Sequence, residues 1–353
     1  MSYDIMTSMS NNSVALYTKY RPDRFKDVLG QDQVVGVLEQ AIKLGNISHA
    51  YLFSGTRGTG KTSIARILSR EIGTKPEDLY EIDAASNTSV DDIRELNESV
   101  STLPFNSERK VYILDEVHML SKSAFNALLK TLEEPPEHVI FILATTEPEK
   151  IPDTVISRCE SYVFRKPNQK MLRDMVLKVS KAEGFQLEKS SADLIGLLGD
   201  GSFRDTLGVL QKVIASSKDN KLSEEEVERV TGAPKSKIVN DFIEAIAVKD
   251  VDMGLEAVSV AVEQNIDMKV YLSLILMKMR ALLLLRYAKN QEKKLEGTFS
   301  EDDFEFLKKI AENSEMKINS EALLELLRAY DEISRSHIPQ LPIELALISI
   351  SNL

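Results

Sequence analysis

The sequence predicts an α/β domain with a parallel sheet, followed by two smaller regions that are entirely helical. Up to residue 166, short apolar segments alternate with segments of helical periodicity, a pattern typical of a parallel sheet covered by helices on both faces. A glycine-rich turn follows the first of these apolar segments and opens a helix. After Pro167 the strand signal disappears, while helical periodicity continues. We therefore expect three domains, at residues 1–166, 167–231 and 232–353.

The composition agrees with a folded chain of more than one domain. The 353 residues include 43% hydrophobic and 28% charged side chains, which is enough to build packed cores and argues against a largely disordered chain. The N-terminus has neither a basic start nor an apolar run, so no signal peptide is predicted. The most apolar stretch, residues 270–287, contains three basic side chains, which favours a buried helix over a membrane span.

Charge and cysteine usage narrow the class of protein further. The net charge is −11 and none of the predicted domains is basic, so a contact with nucleic acid must come from a local patch. Cys159 is the single cysteine, which excludes a disulfide framework and a zinc site made of cysteines. A reducing, cytoplasmic location is therefore expected.

In the first domain, residues 17–31 mix polar and apolar side chains with Pro22 and Gly30, and we predict an extended lead-in segment. Asp32 is predicted to cap the first helix, which Gly45 ends. Further helices are expected after the glycine-rich turn as far as Gly73, and at residues 90–102 and 124–133. Strands are expected at residues 51–53, 79–83, 110–114, 139–144 and 162–164.

Helices alone are predicted beyond Pro167. The second domain is expected to contain helices at residues 171–183, 192–198, 203–216 and 223–230. A break at residues 231–234 precedes a third domain with amphipathic helices at residues 238–248, 252–264, 268–290, 302–313 and 320–336. These amphipathic helices indicate either a bundle or an oligomerisation surface.

The glycine-rich turn matches a phosphate-binding motif. Gly55, Gly60, Lys61 and Thr62 fill the pattern GxxxxGK followed by Ser or Thr, between a strand and a helix. Glycines allow the backbone N–H groups to surround a polyphosphate, and the helix N-terminus adds a partial positive charge. The lysine can reach the β and γ phosphates, and the threonine hydroxyl can ligate Mg²⁺. The motif therefore predicts a nucleoside triphosphate site.

Two carboxylates end another predicted strand. Asp115 and Glu116 follow the apolar run VYIL, and the carboxyl ends of parallel strands are where such sheets bind ligands. Beside a phosphate-binding loop, Asp115 can hold Mg²⁺ through water and Glu116 can orient or activate the attacking water. A solvated strand end is the alternative interpretation of this pair.

Two threonines and two arginines are candidates for contacts with the γ phosphate, where negative charge shifts during hydrolysis. Thr145 and Thr146 end the next predicted strand, and either hydroxyl can hydrogen-bond the γ phosphate or the water. Arg158 and Arg204 are stronger candidates, because an arginine at the γ phosphate raises hydrolysis by roughly three to five orders of magnitude. Cys159 is expected to be a small buried residue beside Arg158.

Several segments together resemble the ATPase subunit of the bacterial DNA polymerase III clamp loader, the gamma/tau family of AAA+ proteins. They are YRPDRFKDVLGQ, HAYLFSGTRGTGKTSIAR, EIDAASN, VYILDEVHMLSKSAFNALLKTLEEPPEHVIFILATTEPEKIPDTVISRC and GSFRDTL. Strong similarity covers residues 17–207, and SHIPQLPIELALI near the end resembles the close of the family's collar domain. The resemblance implies an AAA+ nucleotide-binding domain, a helical lid and an all-helical collar as the three domains.

The resemblance also implies roles for residues on one side of the nucleotide. Lys61 matches the P-loop lysine, and Thr62 matches the Mg²⁺ ligand of the loop. Asp115 and Glu116 match the Walker B pair of the family. Thr146 matches its first sensor of the γ phosphate.

Further roles are implied for two arginines and for the walls of the pocket. Arg158, within SRC, matches the arginine finger that reaches the ATP site of a neighbouring subunit. Arg204, within GSFRDTL, matches the second sensor, which reads the γ phosphate from the lid. The residues expected to line the adenine side are Tyr20, Arg21, Pro22, Val28 and Gly30. The loop residues expected to bind nucleotide beside the motif positions are Thr56, Arg57, Gly58, Thr59 and Ser63.

The activity implied by the resemblance belongs to a multi-subunit machine. In this family, ATP binding lets the loader open the ring-shaped sliding clamp, and primed DNA then triggers hydrolysis and release. The implied cofactors are ATP and Mg²⁺. The implied partners are subunits of the delta and delta-prime type, the sliding clamp and primed DNA, in a pentameric hetero-oligomer. The alternatives are a hydrolysis-silent structural subunit of the same assembly, or another AAA+ machine such as a branch-migration motor or a replication initiator.

The chain departs from the family pattern in two places. Family members usually carry a four-cysteine zinc module between the P-loop helix and the EIDAAS strand, whereas residues 70–79 are short and lack cysteine. We therefore expect no zinc. The chain stops at Leu353, which matches either the short gamma form or a truncated longer form.

Contacts with DNA and the roles of the histidines are less defined. Asn87, Thr88 and Arg94 can meet DNA phosphates as the inner surface of the family's spiral does, although acidic neighbours make a solvated helix face equally compatible. The four histidines are scattered, and each is expected to be a local hydrogen-bonding residue: His49, His118, His138 and His337.

Overall fold

The computed structural model describes residues 14–352, except residues 87, 218, 289, 291, 296–298, 300 and 314–317. The described residues form two compact units. The first unit takes the residues up to Leu172 together with Gly199–Gly208, and the second takes Arg173–Leu198 and the residues from Val209 onward. The division into three domains made from the sequence stays a prediction.

A five-stranded parallel sheet forms the centre of the first unit. Its strands are β1 (Ala50–Ser54), β2 (Leu79–Asp83), β3 (Lys110–Asp115), β4 (Val139–Thr145) and β5 (Glu160–Val163). They are arranged in the order β2-β3-β4-β1-β5, and every neighbouring pair is parallel. Ser54 pairs with Thr145 and Leu114 with Leu143, so the carboxyl ends of β1, β4 and β3 lie side by side. The five predicted strands and the parallel sheet are confirmed.

Helices cover both faces of this sheet. The helices of the first unit are α1 (Leu16–Lys19), α2 (Asp32–Leu44), α3 (Lys61–Glu71), α4 (Val90–Val100), α5 (Lys122–Glu133) and α6 (Asp153–Ile156). Side chains alternate between the faces along each strand. Leu52 and Leu114 share one core with α4 and α5, whereas Phe53 and Ile113 share the other with α2 and α3. Both faces of the sheet are therefore covered by helices, and the carboxyl edge of the strands remains for the candidate site.

The lead-in segment before α2 differs from the prediction of an extended chain. It contains α1 and a short 3-10 turn at Phe25–Asp27. The turn forms because Phe25 is 5% exposed and packs into the core of α2 and α3, which draws the backbone inward. Asp32 is the first residue of α2 and not its cap. The cap position belongs to Gln31, whose amide makes other contacts.

Helices make up most of the second unit. Two helices begin in the first unit and continue into the second: α7 (Gln169–Ala182) and α9 (Phe203–Ser216). The others are α8 (Lys189–Leu198), α10 (Glu224–Thr231), α11 (Ser236–Val248), α12 (Val251–Glu263), α13 (Met268–Tyr287), α14 (Glu292–Leu295), α15 (Glu301–Glu312), α16 (Ser320–Ile333) and α17 (Leu341–Ser351). Among the described helices none is long and apolar enough to cross a membrane.

The expectation that no strands occur beyond Pro167 is wrong. A small parallel pair forms between β6 (Gln186–Leu187) and β7 (Lys221–Leu222). Each strand has two residues, which is too short for a period of two to be visible in the sequence. The pair joins the end of the loop after α7 to the loop after α9.

A buried ion pair connects three helices of the second unit. Lys278 Nζ on α13 lies 2.7 Å from Asp303 Oδ1 on α15, and their side chains are 4% and 6% exposed. Two side chains of α11 complete the cluster, because Ser236 Oγ donates to Asp303 Oδ2 at 2.7 Å and Asn240 Nδ2 donates to Asp303 Oδ1 at 2.9 Å. Burial alone would raise the pKa of Asp303, but Lys278 and these hydrogen bonds outweigh it and hold the pKa below its usual value.

Breaking this pair is expected to destabilise the helical unit strongly. Lys278→Met leaves the Asp303 carboxylate buried without its counter-ion, which costs about 3–5 kcal/mol. Lys278→Met combined with Asp303→Leu removes both charges and should recover most of that loss. The free energy of unfolding from urea titrations measures the effect. Lys309→Met, at an exposed position of α15, is the matched control, and an equal loss in the control would contradict the prediction.

Candidate active site

The loop between β1 and α3 has a backbone that requires glycine. Gly55, Gly58 and Gly60 have φ angles of 149°, 73° and 103°, which are accessible mainly to glycine. A Cβ atom at Gly55 would lie 2.6 Å from the carbonyl oxygen of Phe164, and one at Gly58 would lie 1.8 Å from Ser202 Oγ. Because α3 begins at Lys61, the unpaired N–H groups of its first turn adjoin the loop. This arrangement can bind a phosphate.

Lys61 is held against the loop. Its side chain is buried, and its Nζ donates to the carbonyl oxygens of Gly55 at 2.7 Å and Thr56 at 3.1 Å. Burial lowers the pKa of Lys61, and the charges of Glu116 and Asp115 oppose that shift, whereas Arg204 adds to it. An anion placed here would offset the cost of burying this ammonium group.

Asp115 and Thr62 meet at the carboxyl edge of the sheet. Thr62 Oγ1 donates to Asp115 Oδ2 at 2.8 Å, and Asp115 Oδ1 accepts from the backbone N–H of Glu116 at 3.0 Å. The structure thus brings together the two residues that were predicted to hold Mg²⁺. Hydroxyl and carboxylate oxygens are ligands that Mg²⁺ prefers. Within the described chain, no three side chains of His, Cys, Asp or Glu cluster as metal ligands.

Glu116 occupies a strained backbone position beside Asp115. Its φ is 50°, a left-handed conformation that costs about 1–3 kcal/mol in a residue other than glycine. Thr146 Oγ1 donates to Glu116 Oε2 at 3.0 Å. Thr145 is fully buried, and its hydroxyl interacts with His118 Nδ1 and with the backbone N–H of Glu147. The structure therefore joins Thr146, and not Thr145, to Glu116.

Arg204 lies close to Lys61, although the two are far apart in sequence. The backbone N–H of Phe203, at the start of α9, donates to the carbonyl oxygen of Gly58 at 3.0 Å. The guanidinium carbon of Arg204 is 6.0 Å from the centre of the Tyr17 ring. Burial lowers the pKa of Arg21, and the charges of Arg66 and Arg204 lower it further. Positive charge therefore gathers around the loop, as a polyphosphate site requires.

The residues predicted for the adenine side have different surroundings. Arg21 is the one whose charge interacts with Arg204. Val28 packs against the core of α2 and α3, and Gly30 has a φ of 71°, where a Cβ would lie 2.9 Å from Met171 Sδ. Tyr20 and Pro22 are half-buried. Gln31, the residue after Gly30, donates a hydrogen bond to the carbonyl oxygen of Thr59 in the loop.

The remaining loop residues differ in exposure. Thr59 is 1% exposed, and its Oγ1 donates to the carbonyl oxygen of Thr56 at 2.9 Å. Arg57 is exposed, and Ser63 is half-buried on α3. Thr59 thus stabilises the loop from within, while Arg57 is accessible to a ligand.

Arg158 does not join this cluster. Its Nη2 forms an ion pair with Glu133 Oε1, and its Nη1 donates to the carbonyl oxygen of Thr154 at 2.6 Å. Cys159 beside it is half-buried, and burial raises the pKa of its thiol to about 12. A thiol with so high a pKa is unreactive at neutral pH.

The residues considered for DNA contact are partly described. Arg94 pairs with Asp91 at 2.8 Å on the exposed side of α4. The carbonyl oxygen of Thr88 accepts from the backbone N–H of Ser121 at 3.3 Å. Asn87 lies outside the described residues. A contact of these residues with DNA stays a prediction.

Two residues of the site region were not recognised from the sequence. Gln31 is 3% exposed, and its Nε2 donates to the carbonyl oxygens of Thr59 at 3.3 Å and Arg165 at 2.9 Å. It therefore ties the loop to the segment after β5. His118, which was expected to be a local hydrogen-bonding residue, does hydrogen-bond Thr145, and it also lies beside Glu116 and Glu147. Both residues lie within segments that resemble the family, but the spacing within those segments does not indicate these contacts.

Among solved structures, the Thermotoga maritima RuvB Holliday junction branch migration motor is similar to this chain. The TM-score is 0.51 at 20% sequence identity, and the match covers 64% of this chain and 79% of that chain. At such low identity the likeness shows the fold alone. It confirms the predicted AAA+ fold of the α/β domain.

Family models and sequence relatives agree on a more specific assignment. The family described as DNA polymerase III, delta subunit, matches residues 74–168, and the one described as DNA polymerase III subunits gamma and tau domain III matches residues 222–353. The DNA polymerase III subunit tau of Bacillus subtilis (strain 168) is 37% identical over 361 residues, which cover 95% of this chain and 63% of that protein.

A second tau subunit gives the same result. The DNA polymerase III subunit tau of Escherichia coli (strain K12) is 38% identical over 273 residues, which cover 71% of this chain and 42% of that protein. The chain thus spans less than two thirds of the length of these relatives. With the P-loop and carboxylate geometry of the first unit and the helical domain III match in the second, the chain belongs to the gamma/tau family of DNA polymerase III subunits.

Proposed function

We propose that the chain is the ATP-hydrolysing subunit of the DNA polymerase III clamp loader. In this role it uses ATP binding and hydrolysis to open the sliding clamp and load it onto primed DNA. One observation carries the proposal, namely that Lys61, Asp115, Glu116 and Arg204 converge on one loop in a chain of the gamma/tau family. That convergence supplies the charges and the acceptor groups that phosphoryl transfer to water requires.

The loop and Lys61 bind the phosphates in this proposal. The backbone N–H groups at the start of α3 donate to phosphate oxygens, and Lys61 exchanges the carbonyl oxygens of Gly55 and Thr56 for the β and γ phosphates. Thr62 and Asp115 fit Mg²⁺, because their oxygen atoms already lie 2.8 Å apart at the mouth of the loop. When bound, Mg²⁺ neutralises charge on the phosphates.

Glu116 and Thr146 act on the attacking water. The Glu116 carboxylate accepts a hydrogen bond from the water, orients it toward the γ phosphate and takes up its proton during the attack. Thr146 Oγ1 donates to that carboxylate at 3.0 Å and fixes it. Arg204 contributes positive charge near the γ phosphate from the start of α9. The adenine base lies beside the segment that contains Tyr20, Arg21 and Val28.

The assembly supplies the remaining catalytic group. We infer that Arg158 acts in trans, on ATP held by the neighbouring subunit of a pentameric hetero-oligomer in the cytoplasm. Subunits of the delta and delta-prime type, the sliding clamp and primed DNA are its partners in this proposal. A hydrolysis-silent role in the same assembly is disfavoured, because Lys61 lies against the loop and Thr146 donates a hydrogen bond to Glu116.

The test is ATP hydrolysis in the reconstituted assembly. We expect turnover to rise when sliding clamp and primed DNA are added together. Glu116→Gln should lower turnover roughly a hundred-fold or more, because the amide cannot accept the proton of the attacking water, and ATP affinity should be unchanged. Glu149→Gln, at an exposed position of the same edge, is the matched control. Turnover that stays unchanged when sliding clamp and primed DNA are added would refute the loader function.

A further inference from the structure

His118 is a buried histidine with three polar neighbours. It lies in the short turn Val117–Met119 that follows Glu116, and its side chain is 6% exposed. Its Nδ1 is 3.0 Å from Thr145 Oγ1 and 3.4 Å from Glu116 Oε2. Its Nε2 is 3.1 Å from Glu147 Oε1. The imidazole therefore stands between two carboxylates, of which one is the proposed water-orienting group.

The hydrogen bonds around the ring can be assigned a donor and an acceptor each. A carboxylate only accepts, so Nε2–H donates to Glu147 Oε1. The backbone N–H of Glu147 donates to Thr145 Oγ1 at 3.0 Å, which leaves the threonine hydrogen free to donate to Nδ1. This assignment gives both ring nitrogens and the Thr145 hydroxyl a hydrogen-bond partner. Glu147 and Thr145 thereby fix the orientation of the ring.

The fixed ring borders the carboxylate that acts on water. Glu116 Oε2 receives its direct hydrogen bond from Thr146 Oγ1 at 3.0 Å, and Nδ1 of His118 packs beside the same oxygen. The backbone N–H of Gly55 donates to the carbonyl oxygen of Thr145 at 3.2 Å. The residue that holds the imidazole is therefore bound to the first residue of the phosphate-binding loop. His118 is thus tied to both the loop and the Glu116 carboxylate.

We propose that His118, held by Glu147 and Thr145, is a positioning residue that keeps the Glu116 carboxylate in the orientation required for hydrolysis. The inference rests on the proposed role of Glu116. The ring excludes rotation of the carboxylate toward the turn, so that Thr146 remains its hydrogen-bond donor. Glu147 acts on Glu116 only through His118, because it sets the plane of the imidazole. A strained residue such as Glu116 needs such outside support to keep one conformation.

Substitution of His118 by Asn or by Gln distinguishes the role of Nδ1 from the role of Nε2. Asn places a polar group where Nδ1 stands, and Gln places one where Nε2 stands. Because Glu116 and Thr145 face Nδ1, we expect His118→Ala and His118→Gln to lower turnover roughly ten- to a hundred-fold, the range seen when supporting residues of a site are removed. His118→Asn should recover most of the turnover. ATP affinity should change by less than about two-fold, since no phosphate contact is lost.

The assay is single-turnover ATP hydrolysis by the reconstituted assembly, with ATP affinity measured by titration. A parallel loss of affinity and turnover in His118→Ala, unaltered turnover in that variant, or recovery by Gln instead of Asn would each overturn the proposal. Glu116→Gln in the same assay tests the proposed function separately. If Glu116→Gln retains turnover, the role of Glu116 fails. If Glu116→Gln is inactive while His118→Ala is fully active, the inference about His118 alone fails.

Discussion

Lys61→Ala is expected to weaken nucleotide binding by this chain severely. The ammonium group lies against the carbonyl oxygens of Gly55 and Thr56, and it is the buried cation of the loop. Its removal leaves the phosphates without their nearest positive charge, and we expect the ATP dissociation constant to rise at least about a hundred-fold, or about 2.7 kcal/mol. Titration calorimetry or the fluorescence of a labelled ATP measures the change.

Loss of folding is not expected to explain that result. Burial lowers the pKa of Lys61, so the charged side chain costs folding free energy at pH values below its pKa, and alanine removes this cost. The variant should therefore keep its circular dichroism spectrum and its melting temperature. Lys43→Ala, at an exposed position of α2, controls for the loss of a lysine. Unchanged ATP affinity in Lys61→Ala would refute the phosphate-binding role.

The parts of the site that lie within motifs could be predicted from the sequence. The contact of Thr62 with Asp115 joins residues 53 positions apart, yet the motif and the strand end both indicated it. The reason is geometric, since parallel strands bring their carboxyl ends to one edge of the sheet. The contact between Thr62 and Asp115 was therefore predictable from the motif and the pattern of the strands.

Other contacts depend on packing that no local pattern encodes. Residue chemistry alone left both Thr145 and Thr146 open, and only the family resemblance favoured Thr146. In the structure β4 continues through Thr145 and turns that side chain into the core. Arg204 reaches the loop because Gly58 lies against Ser202, a contact that depends on tertiary structure. Gln31 and His118 were missed for the same reason. Their partners are backbone carbonyls and side chains that only the folded chain brings near.

Arg158→Ala is expected to reduce hydrolysis at the site of a neighbouring subunit and not at the chain's own site. Arg158 contacts Glu133 and the carbonyl oxygen of Thr154, and it forms no ion pair with Asp115 or Glu116 in the described structure. In the assembly we expect a loss of turnover of about a thousand-fold at sites completed by this arginine, with normal ATP binding. Steady-state hydrolysis with sliding clamp and primed DNA measures the loss.

Glu133→Gln is the matched control for this effect. It removes the ion-pair partner but keeps the guanidinium, and an exposed pair of this kind contributes about 0–1 kcal/mol. We therefore expect Glu133→Gln to retain turnover in the assembly. Full turnover in assemblies that contain Arg158→Ala would exclude the role in trans, as would a loss of equal size in the basal hydrolysis of the isolated chain.

Mixing two inactive variants distinguishes action in trans from action in cis. A chain with Arg158→Ala keeps its own Lys61, and a chain with Lys61→Ala keeps its own Arg158. Where these chains are neighbours, the first can hold ATP while the second supplies the arginine, so a mixed assembly should recover part of the lost turnover. If Arg158 acted on ATP in its own chain, neither variant could complete a site and the mixture would remain inactive. Recovery on mixing therefore requires an active site that combines Lys61 of one subunit with Arg158 of its neighbour.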